Sequence, residues 1–178
     1  QQERLTVVSL YCPNPGGDNS DPTTVWAQQR ARMKEIATDR DKVSDGDVRT
    51  ACLKEFQKWA NTRKDKGEKL VVLADANQSL TDTKETYNLK DLVELCEFTS
   101  TMECKHPGES LKLLDRGSKT IDHVLVSGIG DNKITHAGQL PFGLGFHTDH
   151  RGEFADMNGD SMLKIIMEEP KERQGQRL

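Results

Sequence analysis

Three short segments carry ionisable and amide side chains where apolar packing has no use for them. In the first, the apolar run Leu70-Val71-Val72-Leu73-Ala74 leads into Asp75, Ala76 and Asn77. A strand of that kind delivers a carboxylate and, two positions on, an amide to one side of its end. In the second, Thr120 to Ser127, alternation puts Ile121, His123 and Leu125 on one face and Asp122, Val124 and Val126 on the other. Asp122 therefore shares a face with two valines, and a carboxylate buried that way needs a partner. An Arg or Lys would serve. The third segment, Phe146-His147-Thr148-Asp149-His150-Arg151, follows the glycine-rich loop Pro141 to Gly145. An Asp and a His from different strands, with an Asp-x-Asn at a third strand end, are the parts needed for metal-assisted hydrolysis of a phosphate ester.

Other chemistries fit the same residues less well. His147, Asp149 and His150, with His136, offer imidazole and carboxylate ligands for zinc. Cys96, Cys104 and His106 have no compact zinc-finger spacing. Asp156-Met157-Asn158-Gly159-Asp160 starts like a calcium loop, but Ser161 stands at its sixth position and Met167 at its twelfth, where Gly and Glu are needed. Ser79, Ser100 and Ser161 lack the Gly-x-Ser-x-Gly elbow of a serine hydrolase.

The elements that must position these side chains can be read from periodicity. Leu5 to Tyr11 is rich in β-branched residues and stops at Pro13-Asn14-Pro15-Gly16-Gly17, a strand that ends in a loop. From Thr24 the spacing of Val25, Gln29, Met33 and Ile36 predicts a helix. Val48, Cys52, Phe56 and Trp59 (or Ala60) predict a second helix, which Gly67 stops after a run of lysines. Lys69 to Asp75 reads as a buried strand, and Leu89, Leu92, Val93 and Cys96 as a short helix. Thr120 to Ser127, Lys133 to Gln139 and Gly152 to Met157 read as strands, and residues from Glu168 onward as a polar, frayed tail. Helices and strands alternate early and strands dominate late, so the expectation is a layered α/β domain over residues 1–167 with a mixed sheet, then a tail over 168–178.

Composition bounds the partners. The chain has 178 residues, 25 Lys plus Arg and 29 Asp plus Glu, for a formal charge of −4. Bulk charge alone therefore does not hold it to nucleic acid, although a local basic rim, as around Arg30, Arg32 and Lys34, would suffice. No apolar run approaches the roughly 18 residues of a membrane span. No signal peptide is visible, and four scattered cysteines without a Cys-x-x-Cys pair point to reduced thiols, so the expected location is intracellular, cytoplasmic or nuclear. A first residue of Gln1 so close to a strand leads us to expect further sequence upstream.

Four motifs in order resemble the endonuclease/exonuclease/phosphatase family, with its deoxyribonuclease-I-like fold. They are Tyr11-Cys12-Pro13-Asn14, Ala74-Asp75-Ala76-Asn77, Ile121-Asp122-His123-Val124 and Thr148-Asp149-His150. Ala74 and Ala76 stand where Gly and a bulkier apolar residue are common, and Thr148 stands where Ser is common. The resemblance implies a two-sheet β-sandwich flanked by helices and truncated at its N-terminus. The family's first strands, with an Asn and a metal-binding Glu, would precede Gln1. It further implies Mg²⁺ (or Mn²⁺) and in-line attack of water on phosphorus. Asp149 would be the metal ligand, and His150 a general base or phosphate clamp polarised by Asp122. Asp75 would orient or deprotonate the water, Asn77 and Tyr11 would donate to the phosphate, and Asn14 would shape the loop beside it. The expected function is a nuclease, with nucleic acid as partner and with this stretch alone weakened or inactive. Inositol-phosphate or lipid phosphodiester hydrolysis, or a non-catalytic interaction module on the same fold, are the alternatives. A sheet edge left open by absent strands would promote self-association.

Overall fold

A computed structural model describes residues 4–14, 21–36, 47–82, 87–108, 120–141 and 150–159. The chain runs β1 (Leu5–Tyr11), α1 (Val25–Ile36), α2 (Asp47–Lys64), β2 (Lys69–Asp75), α3 (Leu89–Leu95), β3 (Thr99–Ser100), α4 (Thr101–Lys105) and β4 (Asp122–Ser127). A single 3-10 turn (Asp131–Lys133) then leads to β5 (Ile134–Gln139), and β6 (Glu153–Met157) follows. The class is mixed α/β. Four strands form one sheet in the order β1-β2-β4-β3, and β5 and β6 form a second. β1 is parallel to β2, whereas β2 and β3 are both antiparallel to β4.

Each predicted helix has a local reason to start or stop. Thr24 opens α1 by accepting the Ala27 N–H at 3.2 Å. Asn88 and Asp91 form a reciprocal capping box on α3. α2 ends at Lys64 and Gly67 follows at φ +75°, a conformation that costs a glycine little. Its last lysine reaches across to α3, where Lys64 Nζ donates to the Cys96 carbonyl at 2.6 Å and to Glu97 Oε2 at 2.7 Å. Periodicity had no purchase on β3 and α4. A two-residue strand and a five-residue helix are too short to show a repeat.

The four-stranded sheet has two unlike faces. One face, with Leu70, Val72, Ala74 and Leu125, packs under α2 and α3 against Leu53, Phe56, Ala60, Leu89 and Leu92. Phe56 stacks on Trp59 and Phe98 at centroid distances of 5.4 and 6.4 Å. On the other face Val71, Val124 and Val126 pack with Ile129, Ile134, Ala155 and Met157 of the small-sheet side, and Leu5 of β1 packs against the same cluster. Val7 and Leu73, further toward β1, stay open at 60% and 47% exposure. Within the small sheet Gly138 lies opposite Phe154, where an added Cβ would sit 2.9 Å from the ring. Among the described residues no helix is long and apolar enough to cross a membrane. The predicted polar tail, residues 168–178, lies outside the described residues, as does Asp149.

Candidate active site

Register builds the site. Tyr11 pairs with Asp75, and Asp75 pairs with Asp122, so one row of three side chains crosses three adjacent strands. Because β1 and β2 run parallel and β4 antiparallel, this row collects the C-terminal ends of two strands and the N-terminal end of the third. Residues directly opposite one another share a face. The Ala76 N–H donates to the Ile121 carbonyl at 3.0 Å, which makes that pair hydrogen-bonded and the next, Asp75/Asp122, non-hydrogen-bonded. Pairs of the second kind bring their side chains closer together. Two carboxylates are thus pressed together by strand register alone.

The imidazole of His150 completes the group. Its Nδ1–H donates to Asp122 Oδ2 at 2.7 Å, with the His150 side chain 33% and that of Asp122 17% exposed. Ligand-capable atoms of Asp75, Asp122 and His150 all lie within 4.8 Å of one another. Burial pushes the Asp75 carboxyl above its ordinary range. The Asp122 charge adds to that, while His150 and the Asn77 backbone N–H oppose it. Asp75 Oδ1 is shielded from solvent and has no hydrogen-bond partner among the described residues. A carboxylate oxygen in that position is an acceptor in want of a water, a proton or a cation.

The remaining expected site residues take different places. Tyr11 is 47% exposed at the outer end of the row. Asn77 adopts φ +48°, which breaks strand alternation, and its Nδ2 donates to the Cys12 carbonyl at 3.0 Å. The amide thus ties the end of β1 to the turn after β2, so Asn77 buttresses the site. Cys12 N–H donating to the Asp75 carbonyl at 2.8 Å draws the same two strand ends together. Asn14 is exposed just past β1.

Two contributors escaped sequence reasoning. Arg49 is buried and its Nε donates to the Pro13 carbonyl at 3.3 Å, holding the loop that follows Tyr11. It shares the spacing of the buried Leu53, Phe56 and Ala60, so a cation in phase with an apolar stripe was the available signal. Glu153 is the second. It opens β6 on the same inward row as Ala155 and Met157, and its Oε1 accepts the Val124 N–H at 3.1 Å. Burial, reinforced by the Asp122 charge, pushes its carboxyl up to about 7.

The Cys96, Cys104 and His106 set comes apart, and of the other zinc candidates His147 and Asp149 lie outside the described residues. Cys96 sits in the helix-side core and Cys104 against the opposite face, while His106 Nε2–H donates to the Ala137 carbonyl at 2.9 Å. His136 lies 3.7 Å from the Asp156 carboxylate on the surface. Among the described residues only Asp75, Asp122 and His150 gather in the manner of metal ligands. All four cysteines are free thiols. Fold and site together define a mixed α/β domain with two carboxylates and an imidazole at converging strand ends. No family model matches this chain, and no curated protein is similar enough to match it.

Proposed function

We propose that this chain is a Mg²⁺-dependent phosphodiester hydrolase of the nuclease type, built on the deoxyribonuclease-I-like fold. The observation that carries the reading is the convergence of Asp75, Asp122 and His150 from three separate segments within 4.8 Å. A phosphodiester repels anionic nucleophiles and its leaving oxygen gains charge, so hydrolysis needs an oriented water and a cationic or proton-donating partner. The solvent-shielded Oδ1 of Asp75 is the acceptor for that water. Asp122 fixes the tautomer of His150 and stabilises charge building on the ring, leaving Nε2 as the atom that meets water or phosphate. Tyr11, at the open end of the row, is the hydroxyl donor to a non-bridging oxygen.

The donor set suits Mg²⁺, which takes carboxylate and water oxygens and is held by one or two carboxylates plus substrate phosphate. Asp149, adjacent to His150 in sequence, and Asp75 are the residues that would hold it. The ion would neutralise the phosphate and the leaving oxygen. Nucleic acid is the proposed substrate, with inositol-phosphate and lipid diesters as competitors in the same assay. Hydrolysis of plasmid or of a generic diester, dependent on Mg²⁺ and abolished by EDTA, tests the reading. Cleavage that persists in EDTA would overturn the metal-dependent form.

A second reading, a non-catalytic interaction module, draws on a different observation. Val7, on β1, and Leu73, on the adjacent β2, are exposed on one sheet face, and β1 is an edge strand among the described residues. Open apolar surface beside an edge favours association with another chain. A sharp monomer in light scattering at high concentration, together with Mg²⁺-dependent turnover, would dispose of it.

A further inference from the structure

We infer that Glu153 is a positioning residue that holds His150 in register with Asp122 by fastening the start of β6 to the edge of β4. The inference rests on the reading of Asp122 and His150 as the reacting pair.

The argument starts from the hydrogen-bonding needs of β4. The Leu73/Val124 pair is non-hydrogen-bonded by the alternation that Ala76/Ile121 sets, so the N–H and C=O of Val124 point away from β2. β3 is on that side but pairs only with Leu125 and Val126. Val124 would next face Thr101, which has already turned into α4. Two side chains fill the gap. Thr101 Oγ1 donates to the Val124 carbonyl at 3.1 Å, and Glu153 Oε1 accepts the Val124 N–H at 3.1 Å. A buried strand edge left without partners would cost free energy, so the structure has reason to keep both.

The consequence for the site follows from spacing. Asp122 and Val124 are two residues apart on β4, and His150 and Glu153 three apart on the incoming segment. The bonds His150 Nδ1–H to Asp122 and Val124 N–H to Glu153 are therefore two rungs between the same pair of segments. The Leu140 N–H donating to the Gly152 carbonyl at 2.8 Å and Arg151 Nη1 donating to Gln139 Oε1 at 3.4 Å join the segment to β5. Glu153 thus fastens to β4 the segment that brings His150 to Asp122. A carboxyl or an amide does this equally well, because each offers an acceptor oxygen; an apolar residue of similar size does not.

The test reads the tautomer of His150 by ¹⁵N NMR of the full chain in EDTA, at an alkaline pH where the ring is neutral. Wild type and Glu153→Gln should both show the Nδ1–H tautomer that Asp122 selects. Glu153→Leu should lose it in favour of the Nε2–H form that free imidazole prefers, with thermal unfolding still cooperative. An unchanged tautomer in Glu153→Leu overturns the inference, and so does loss of the tautomer in Glu153→Gln. Should Glu153→Leu fail to fold, the Val124 amide of the wild type decides. Slow hydrogen exchange there, retained in Glu153→Gln, supports the tie, and exchange at the rate of an open strand edge refutes it. No turnover enters these readouts. A correct tautomer with no hydrolysis would count against the proposed reaction and leave the role of Glu153 standing.

Discussion

β4 is flanked by two histidines whose surroundings differ in one respect that matters. His123 lies on the strand itself, faces the helix layer and is 5% exposed. Its Nε2–H donates to the Gln78 carbonyl at 3.0 Å, and burial keeps the ring neutral by holding its pKa below the usual value. His150 comes from outside the strand, stays a third exposed and donates to a carboxylate. A neutral carbonyl in a sealed layer gives an imidazole a fixed place and nothing to react with. A carboxylate partner at a partly open strand end gives it a polarising contact and, in the proposed reaction, access to substrate. The same residue type is thus structural on one face and, in the proposed reaction, chemical on the other. The partner and the solvent access decide which.

The largest expected effect separates the two rings directly. Asp122→Asn or His150→Ala should lower Mg²⁺-dependent diester hydrolysis by about 100-fold or more, the loss typical of one group that stabilises charge in a transition state. Rates within about threefold of wild type would end the distinction between the histidines. His123→Phe should instead leave kcat near that of wild type in the folded fraction and act on stability.

Glu153 sharpens the contrast through pH. Its carboxyl is raised from 4.5 to about 7 on folding, so the folded state binds the proton more tightly than the unfolded chain does. The stability it contributes is full below pH 4.5 and is lost as pH rises through 7. Glu153→Gln removes that loss. Denaturant titrations should find the variant matched to wild type at low pH and more stable by up to about 3 kcal/mol at pH 8.

His123 titrates in the opposite sense. A lowered pKa means that its contribution is full above the unfolded value of 6.5 and is lost as pH falls through the folded one. His123→Phe should cost about 1–3 kcal/mol at neutral pH, because the buried Gln78 carbonyl loses its donor, and should flatten the acid limb of the stability profile. The smallest effect belongs to the exposed Arg32–Glu35 pair. Glu35→Gln should shift stability by less than about 0.5 kcal/mol despite a 2.8 Å contact, since salt and water screen it.

Much of this was legible before folding because it is local. The β-branched run of Leu5–Tyr11 and the continuous apolar run of Lys69–Asp75 mark strands by local composition, and in Thr120–Ser127 the two-residue period of a strand assigns the faces of Asp122 and His123. The helix from Thr24 and the stop at Gly67 are likewise short-range. Asn77 departs from the simple pattern because a left-handed residue ends the alternation that the sequence implies. β3, α4 and the buried Arg49 carry too little periodic signal to announce themselves.

The sequence on its own determined the residue types, the strand faces and the mixed α/β class, since these depend on neighbours within a few positions. Tertiary structure alone decided that Asp75 stands opposite Asp122, that His150 arrives from 28 residues away to bond it, and that Glu153 closes the edge of β4. Strand order and register are fixed by packing across the whole domain, and no local pattern encodes which strand ends will meet.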